Sequence, residues 1–278
     1  MNKLYKTIGV SKQAVYQYAK RQHIFDNKLS NLMTEAEELR DEHPGCGVEK
    51  MYDTLKPDFI GRDRFVDTMM DLGFRVKRRR NYKRTTISSK IYYPNLIKGM
   101  EVNRPSQIWQ SDITYIPVGG KHHYAVFIID VYTKKIVGYQ VSDHMRATAN
   151  VKALQMALNK HPPPTIHHSD RGSQYIYKDY INLLIKQGTR ISMALSAQDN
   201  AYAERINRTI KEEYIDHWKP KTFSELKRFV KRAVIQYNNI RPHNNLKKIS
   251  PLEFENLWST TKDSNKPKIT IFNNEINV

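Results

Sequence analysis

Apolar residues recur with a helical period over the first quarter of the chain and with a strand period from Ile108 onward. Over residues 4–21 the apolar positions are Leu4, Tyr5 and Ile8, then, beyond Gly9, Ala14, Val15 and Tyr18, with Ser11 placed as an N-cap. That spacing predicts two short helices joined by a tight turn, a helix-turn-helix-like arm over 1–28. Thr34 followed by Glu37 is a capping-box pattern, predicting a new helix that the PGCG of residues 44–47 ends. Val48, Met51, Tyr52 and Leu55 mark a second helix stopped near Pro57. Arg62, Phe65, Val66, Met69, Met70 and Leu72 mark a third, ending at Gly73. These three short helices around an apolar centre, together with the basic segment that follows, form a second helix-turn-helix-like domain over 34–84. Residues 85–104 read as an extended linker.

From Ile108 the segments WQSDITYIPV, HHYAVFIIDVYT and KKIVGYQVS predict three consecutive strands, with Gly119 and Gly120 in the first turn and Thr133 and Lys134 in the second. A helix over 147–160, a buried strand over 165–168, a helix over 177–186, a small strand over 190–193 and a long helix from near Gln198 follow. Three antiparallel strands and then alternating helices and strands predict a mixed five-stranded sheet with helices on both faces, an α/β core of ribonuclease H-like fold over 105–215. A helical extension over 216–260 contains an apolar stripe, Leu226, Phe229, Val230, Ala233, Val234 and Tyr237, that predicts packing against the core or a partner helix. Arg241 and His243, in a Pro-marked turn, read as a structural lock. The tail over 261–278 ends in KITIFNNEINV, a β-like run able to extend a sheet edge or a neighbouring subunit.

Charge narrows the class of partner. Lys and Arg number 46 against 28 acids in 278 residues, a net charge of +18, which points to a polyanion and most directly to nucleic acid. The basic residues concentrate in RVKRRRNYKR, where Arg75, Lys77, Arg78, Arg79, Arg80, Lys83 and Arg84 predict a strap along a phosphate backbone. Lys12, Gln13 and Gln17, on the second helix of the N-terminal arm, are the residues that would reach base edges in a major groove. The one cysteine, Cys46, excludes an internal disulfide and a cysteine-based zinc finger. No run of about 18 apolar residues and no signal-peptide core is present. The expectation is a soluble cytoplasmic protein, associated with a bacterial nucleoid and not with membrane.

Three acids carry the chemistry. Asp112 lies in the first long strand, Asp170 at the end of the fourth, and Glu204 on the long helix. Carboxylates converging from two strands and a helix make an all-oxygen site suited to Mg²⁺ or Mn²⁺ and to phosphodiester chemistry. Asp130 reads as a turn cap ahead of Lys134, Asp199 as a helix N-terminal cap, and His167 and His168 as packed or supporting histidines. On the Glu204 helix, Arg208 and Lys211 share the face of the acid and are placed to grip DNA. Asn200 and Asn207 are candidate polar contacts to phosphate or bases, and residues 171–174 form a turn whose N–H groups can approach phosphate.

The motifs WxxDxTY, HSDRGSQY and DNAxAE, with YNNIRPHNNL followed by SPLEF, resemble the integrase-type transposases of the bacterial insertion sequence three family over residues 108–254. The region from Thr34 to Phe74 resembles the helix-turn-helix-like part that precedes the core in that family. The resemblance implies that Asp112, Asp170 and Glu204 are its catalytic aspartate–aspartate–glutamate triad, holding two Mg²⁺ ions, with Mn²⁺ able to substitute. It further implies cleavage at the 3′ end of an insertion element and transfer of the freed strand into another phosphodiester. One departure stands out: Glu204 lies 34 positions after Asp170, closer than is usual in that family. The expected partners are double-stranded DNA, both the terminal inverted repeats of the element and the target, and further copies of this chain, at least a dimer on DNA. An upstream-frame helix-turn-helix protein is a further possible partner. The alternatives are a ribonuclease H-like nuclease that cuts without joining and a non-catalytic DNA-binding inhibitor of transposition.

Overall fold

The computed structural model describes residues 9–76 and 93–271. The chain divides into two compact units, Met1–Val76 and Lys77–Val278. The first holds three helices, α1 (Lys12–Glu42), α2 (Val48–Leu55) and α3 (Arg62–Asp71). Ser11 caps α1 as its sequence position predicts, its side chain accepting from Ala14 N at 3.0 Å. The expected break before Thr34 is absent. Residues 12–42 contain neither glycine nor proline, so the helix runs through for 31 residues, and the Thr34 hydroxyl turns back to Ser30 O instead of capping a new start. The N-terminal arm and the second module therefore share one helix. Leu32, Ala36, Cys46, Val48, Met51, Ile60, Phe65 and Met69 form the core of this unit. Arg40 closes it by donating to Phe74 O at 2.8 Å. Gly73, at φ 89°, makes the left-handed turn that ends α3.

The second unit is built on a sheet ordered β4-β3-β2-β5-β6, with β2 Ile108–Val118, β3 Lys121–Asp130, β4 Ile136–Ser142, β5 Ile166–Ser169 and β6 Arg190–Met193. β2, β3 and β4 are antiparallel neighbours, and β5 and β6 join in parallel, so the sheet is mixed as expected. Helices α4 (Thr148–Lys160) and α5 (Lys178–Lys186) contribute to the cluster on one face around Trp109, Val126, Ile128, Leu154, Tyr180 and Met193. Helices α6 (Ala201–Ile210) and α7 (Phe223–Asn239) contribute to the other, around Ile116, Phe127, Ile206, Ile210, Val230 and Tyr237. Alternate residues of β2 thus point into different layers, the period that an extended strand imposes. Gly138 lets α4 approach β4: a Cβ there would meet Ala153 O at 2.4 Å. α7 packs its apolar stripe into the sheet's own core, with Leu226, Val230, Ala233, Val234 and Tyr237 buried and Phe229 partly so, and it lies in the same compact unit as the sheet.

Two more segments depart from expectation. Within the proposed linker, Glu101–Val102 forms a strand, β1, that pairs with Ile269–Thr270 of the tail, β7, so the tail's β-run is satisfied inside the chain. Ile97 is buried against Val131, Tyr132 and Ile271, and the Leu96 N–H donates to Ser192 Oγ, which holds this stretch on the core. The final helix, α8 (Pro251–Thr260), starts in a capping box of Ser250 and Glu253.

Candidate active site

Asp112 stands in the middle of β2 on the face covered by α6. In the parallel ladder Ser111 pairs with Ser169, so Asp170, the next residue after β5, emerges beside Asp112. Glu204 stands exposed in the first turn of α6, where the helix dipole favours a negative charge, near enough for that charge to act on Asp112. Four bonds fix this helix on β2. Gln110 Nε2 donates to Asp199 O at 3.1 Å and its Oε1 accepts from Ala203 N at 3.3 Å. Asn200 Nδ2 donates to Ser111 O at 3.0 Å, and Asn207 Nδ2 donates to Asp112 Oδ2 at 2.8 Å. The Ile113 N–H holds the other Asp112 oxygen, at 2.9 Å.

The three carboxylates share one electrostatic field. Asp112 is pushed up to about 8, first by burial and then by the neighbouring Asp170 charge, with Glu204 adding to it and the Ile113 and Asn207 donors opposing. Burial also raises Asp170, against the N–H of Gly172, and raises Glu204, against the nearby Arg208 guanidinium. The repulsion falls chiefly on Asp112 because it is the most deeply placed of the three. Gly172 is needed for the turn over Asp170, since a Cβ there would stand 3.0 Å from Asp170 Oδ1, the oxygen that its own N–H holds.

Beneath the site lies a hydroxyl network. Ser111 Oγ and the Tyr175 hydroxyl are 3.0 Å apart, and the Tyr180 hydroxyl meets His167 Nε2 at 2.9 Å. Burial and the adjacent Asp170 hold the Tyr175 hydroxyl protonated. His167 and His168 are pushed down to about 3 and about 4 by burial, so both are neutral at ordinary pH, and His168 is tied to Ser192 Oγ. They support the floor of the site from below, the packed role that their sequence position predicts.

The remaining candidates sort by position. Asp130 caps its turn, accepting from Tyr132 N, Thr133 N and Ser106 N. Asp199 forms a capping box with Ser196. Asn200 and Asn207, read from sequence as DNA contacts, are 2% and 6% exposed and face β2 instead. Arg208 is exposed and Lys211 half-buried on the Glu204 helix. Lys12, Gln13 and Gln17 are exposed on the first turns of α1, and Arg75 is exposed past α3. Lys77, Arg78, Arg79, Arg80, Lys83 and Arg84 lie outside the described residues. The polar partners Gln110, Ser111 and Tyr175 were missed, although Gln110 two residues before Asp112 and Asn207 three after Glu204 share the faces of those acids.

Among the described residues no three His, Cys, Asp or Glu side chains converge into a ready coordination sphere. The donor set nevertheless fits a hard divalent cation: three carboxylates, no sulfur, and mutual repulsion that added positive charge would relieve. Among the described residues no helix is long and apolar enough to cross a membrane.

Comparison with known proteins agrees with this geometry. Two models of an integrase core domain match residues 102–197 and 189–251. A transposase for the insertion sequence element IS629 of Shigella sonnei is 34% identical over 82% of this chain and 79% of its own length. A 31 kDa protein of insertion element IS600 from the same organism is 36% identical over 70% of this chain and 75% of its own. Among solved structures, the catalytic core domain of HTLV-2 integrase covers 58% of this chain and 99% of its own with 14% identity and a TM-score of 0.46; the fold assignment rests on the sheet order and the family models and not on that likeness. With a sheet of this order, two integrase-core matches and a transposase relative aligned over most of both chains, the chain belongs to the insertion sequence three family of DNA transposases.

Proposed function

We infer that this chain cuts DNA at the 3′ ends of its insertion sequence and joins those ends to a new phosphodiester. The reading rests on one observation above the others: Asp112, Asp170 and Glu204, from β2, the end of β5 and α6, stand close enough for each charge to be felt at Asp112. Two Mg²⁺ ions, or Mn²⁺ in their place, held by these carboxylates would supply the positive charge that stabilises the entering and leaving oxygens. The chain's own residues do the positioning. The Asn207 amide and the Ile113 N–H orient Asp112, Gly172 orients Asp170, and the Gln110 and Asn200 bonds set the helix that carries Glu204. Arg208, exposed one turn along α6, is placed to take a phosphate of the DNA end.

In the first step water attacks phosphorus, the P–O bond to the element's 3′ oxygen breaks, and a free 3′-OH is left with a 5′-phosphate on the flank. In the second, that 3′-OH attacks a phosphodiester of another strand, and the displaced oxygen departs as a new 3′-OH. Bonds made and broken balance, so the joining step needs no external energy source. The partners are the terminal inverted repeats, the target duplex and further copies of this chain, because two ends must be cut and joined together. Lys12, Gln13 and Gln17 read bases, and the basic segment 75–84 follows the phosphate backbone.

The test uses the full chain with duplexes carrying the element's terminal repeats, with 3′-cleaved and joined products resolved by strand length. Wild type yields both products, while Asp112→Ala, Asp170→Ala and Glu204→Ala yield neither and still bind DNA, because phosphate contacts made elsewhere survive. Joining by Asp112→Ala would overturn the triad. Cleavage with no joined product in wild type would make the protein a nuclease, and binding with neither product an inhibitor.

A further inference from the structure

We propose that the loop after the Glu204 helix and the exposed face of α7 form a second duplex-DNA contact, a phosphate track that begins about six base pairs from the site of chemistry. The inference rests on the transposase reading above. From Ala201 the chain continues as one helical rod through α6, a π turn at Lys211–Ile215 and a last turn at Asp216–Trp218. This rod runs along β2: Ala203 meets Gln110, Asn207 meets Asp112, and the Lys221 carbonyl lies 3.3 Å from where a Cβ on Gly119 would stand, at the tip of the β2–β3 hairpin. At roughly 1.5 Å per residue, Lys219 lies about 22 Å from Glu204, the rise of about six base pairs.

Five cations cluster at that far end. Lys219 and Lys221 are exposed in the loop, and Lys227, Arg228 and Lys231 on one side of α7. None of the five forms an ion pair among the described residues. The acids nearby are fewer than the cations: Glu212, Glu213 and Asp216 lie on the rod, Glu213 being paired with Arg241, and Glu225 accepts from the Lys221 N–H at 2.7 Å. Two of the cations are laid on aromatic surfaces, Lys227 Nζ 4.2 Å from the Phe223 ring and the Arg228 guanidinium 5.4 Å from that of Phe229. Such support lowers the entropy lost when the charged ends settle on phosphates. Unpaired cations at this spacing, in line with the helix that carries Glu204, match the backbone of a duplex lying along α6.

Lys221→Gln/Arg228→Gln/Lys231→Gln, measured beside wild type on a fluorescent 30-base-pair duplex across a salt series, tests this. If each cation neutralises one phosphate, the slope of log K against log[salt] becomes shallower by about 2.7. A charge-matched control, Lys152→Gln/Lys160→Gln/Lys186→Gln on α4 and α5, which pack on the opposite face of the sheet, keeps the wild-type slope. An unchanged slope in the first variant, or an equal change in the control, would falsify the track. Loss of all duplex binding by wild type would instead remove the transposase reading on which the inference stands. Should the triple variant melt at a lower temperature than wild type, Lys231→Gln alone is read the same way, with an expected change of about 0.9.

Discussion

Asn207 donates its side-chain amide to Asp112 Oδ2 across 2.8 Å, from the helix that carries Glu204 to the strand that carries Asp112. One hydrogen bond therefore couples two carboxylates that the chain supplies 92 positions apart. Asn207→Ala removes that donor and leaves Asp112 with the Ile113 N–H alone. Cleavage is expected to fall about 10- to 100-fold, with the metal concentration for half-maximal rate rising and duplex affinity unchanged. Asn207→Asp, which adds a like charge beside Asp112, is expected to fall further. Equal loss of DNA binding and cleavage in Asn207→Ala would show that this side chain faces the nucleic acid instead.

Metal exchange probes the donor set directly. Mg²⁺ and Mn²⁺ are expected to support cleavage and joining, while Ca²⁺, with its longer and looser coordination, supports assembly on DNA without turnover. Product formation undiminished in excess chelator would count against a carboxylate-held cation.

The two basic regions of the N-terminal half are separable by salt and sequence. Replacing Lys12, Gln13 and Gln17 by Ala is expected to cost about 1–3 kcal/mol per lost base contact on element ends, with little effect on unrelated DNA. Replacing Arg78, Arg79 and Arg80 should weaken both alike and make the salt slope shallower by about 2.7. Competition binding at two salt concentrations reads both, and equal losses on both DNAs for the first variant would remove its reading role.

Arg241 forms a two-pronged pair with Glu213, at 2.6 and 2.7 Å, locking the IRPHNNL turn onto the π turn of the Glu204 rod. Its guanidinium is held above the ordinary arginine range by that carboxylate, against the cost of burial. Arg241→Ala removes the two-pronged pair from Glu213, whose carboxylate keeps 21% exposure. A loss of about 3 kcal/mol is therefore expected in chemical denaturation, the low end for a broken buried pair. A loss below 1 kcal/mol would show that water replaces the partner.

Lys134 is buried in the β3–β4 turn, its Nζ 3.9 Å from the Tyr202 ring centroid and bonded to Val131 O. Burial pushes it down to about 7 from 10.5, with Asp130 opposing. Between pH 7 and 9 the unfolded chain carries a proton there that the folded chain has largely released, so this lysine makes stability rise with pH over that window. Lys134→Met removes the dependence. The stability difference between wild type and variant is expected to move by about 2 kcal/mol in favour of wild type from pH 7 to pH 9, read in urea at each pH. Parallel pH profiles would mean that Lys134 keeps its charge in the fold.

The local rules written into the chain were enough for much of this protein. Apolar, β-branched runs bounded by turn residues specify β2, β3 and β4, and helices on both faces bury them with little alternation. The apolar stripe from Leu226 to Tyr237 specifies α7, whose span Phe223–Asn239 encloses it, and Arg190–Met193 falls on the boundaries that its pattern predicts. The three acids, each inside a distinctive motif, read from sequence as one site, and in the fold the charges of Asp170 and Glu204 act on Asp112. What the chain could not declare by itself was which neighbours those elements would meet. Residues 12–42 became one helix because no residue there breaks one, and a capping pattern at Thr34 has no force where the preceding turn is already helical. Asn200 and Asn207, polar and beside Glu204, read as DNA contacts until the packing of α6 on β2 turned both inward. The tail strand found its partner at Glu101–Val102, more than 160 positions earlier. Propensity and periodicity act over a few residues, whereas burial, strand pairing and the partner of a buried amide depend on residues distant in sequence, and only the closed fold decides them.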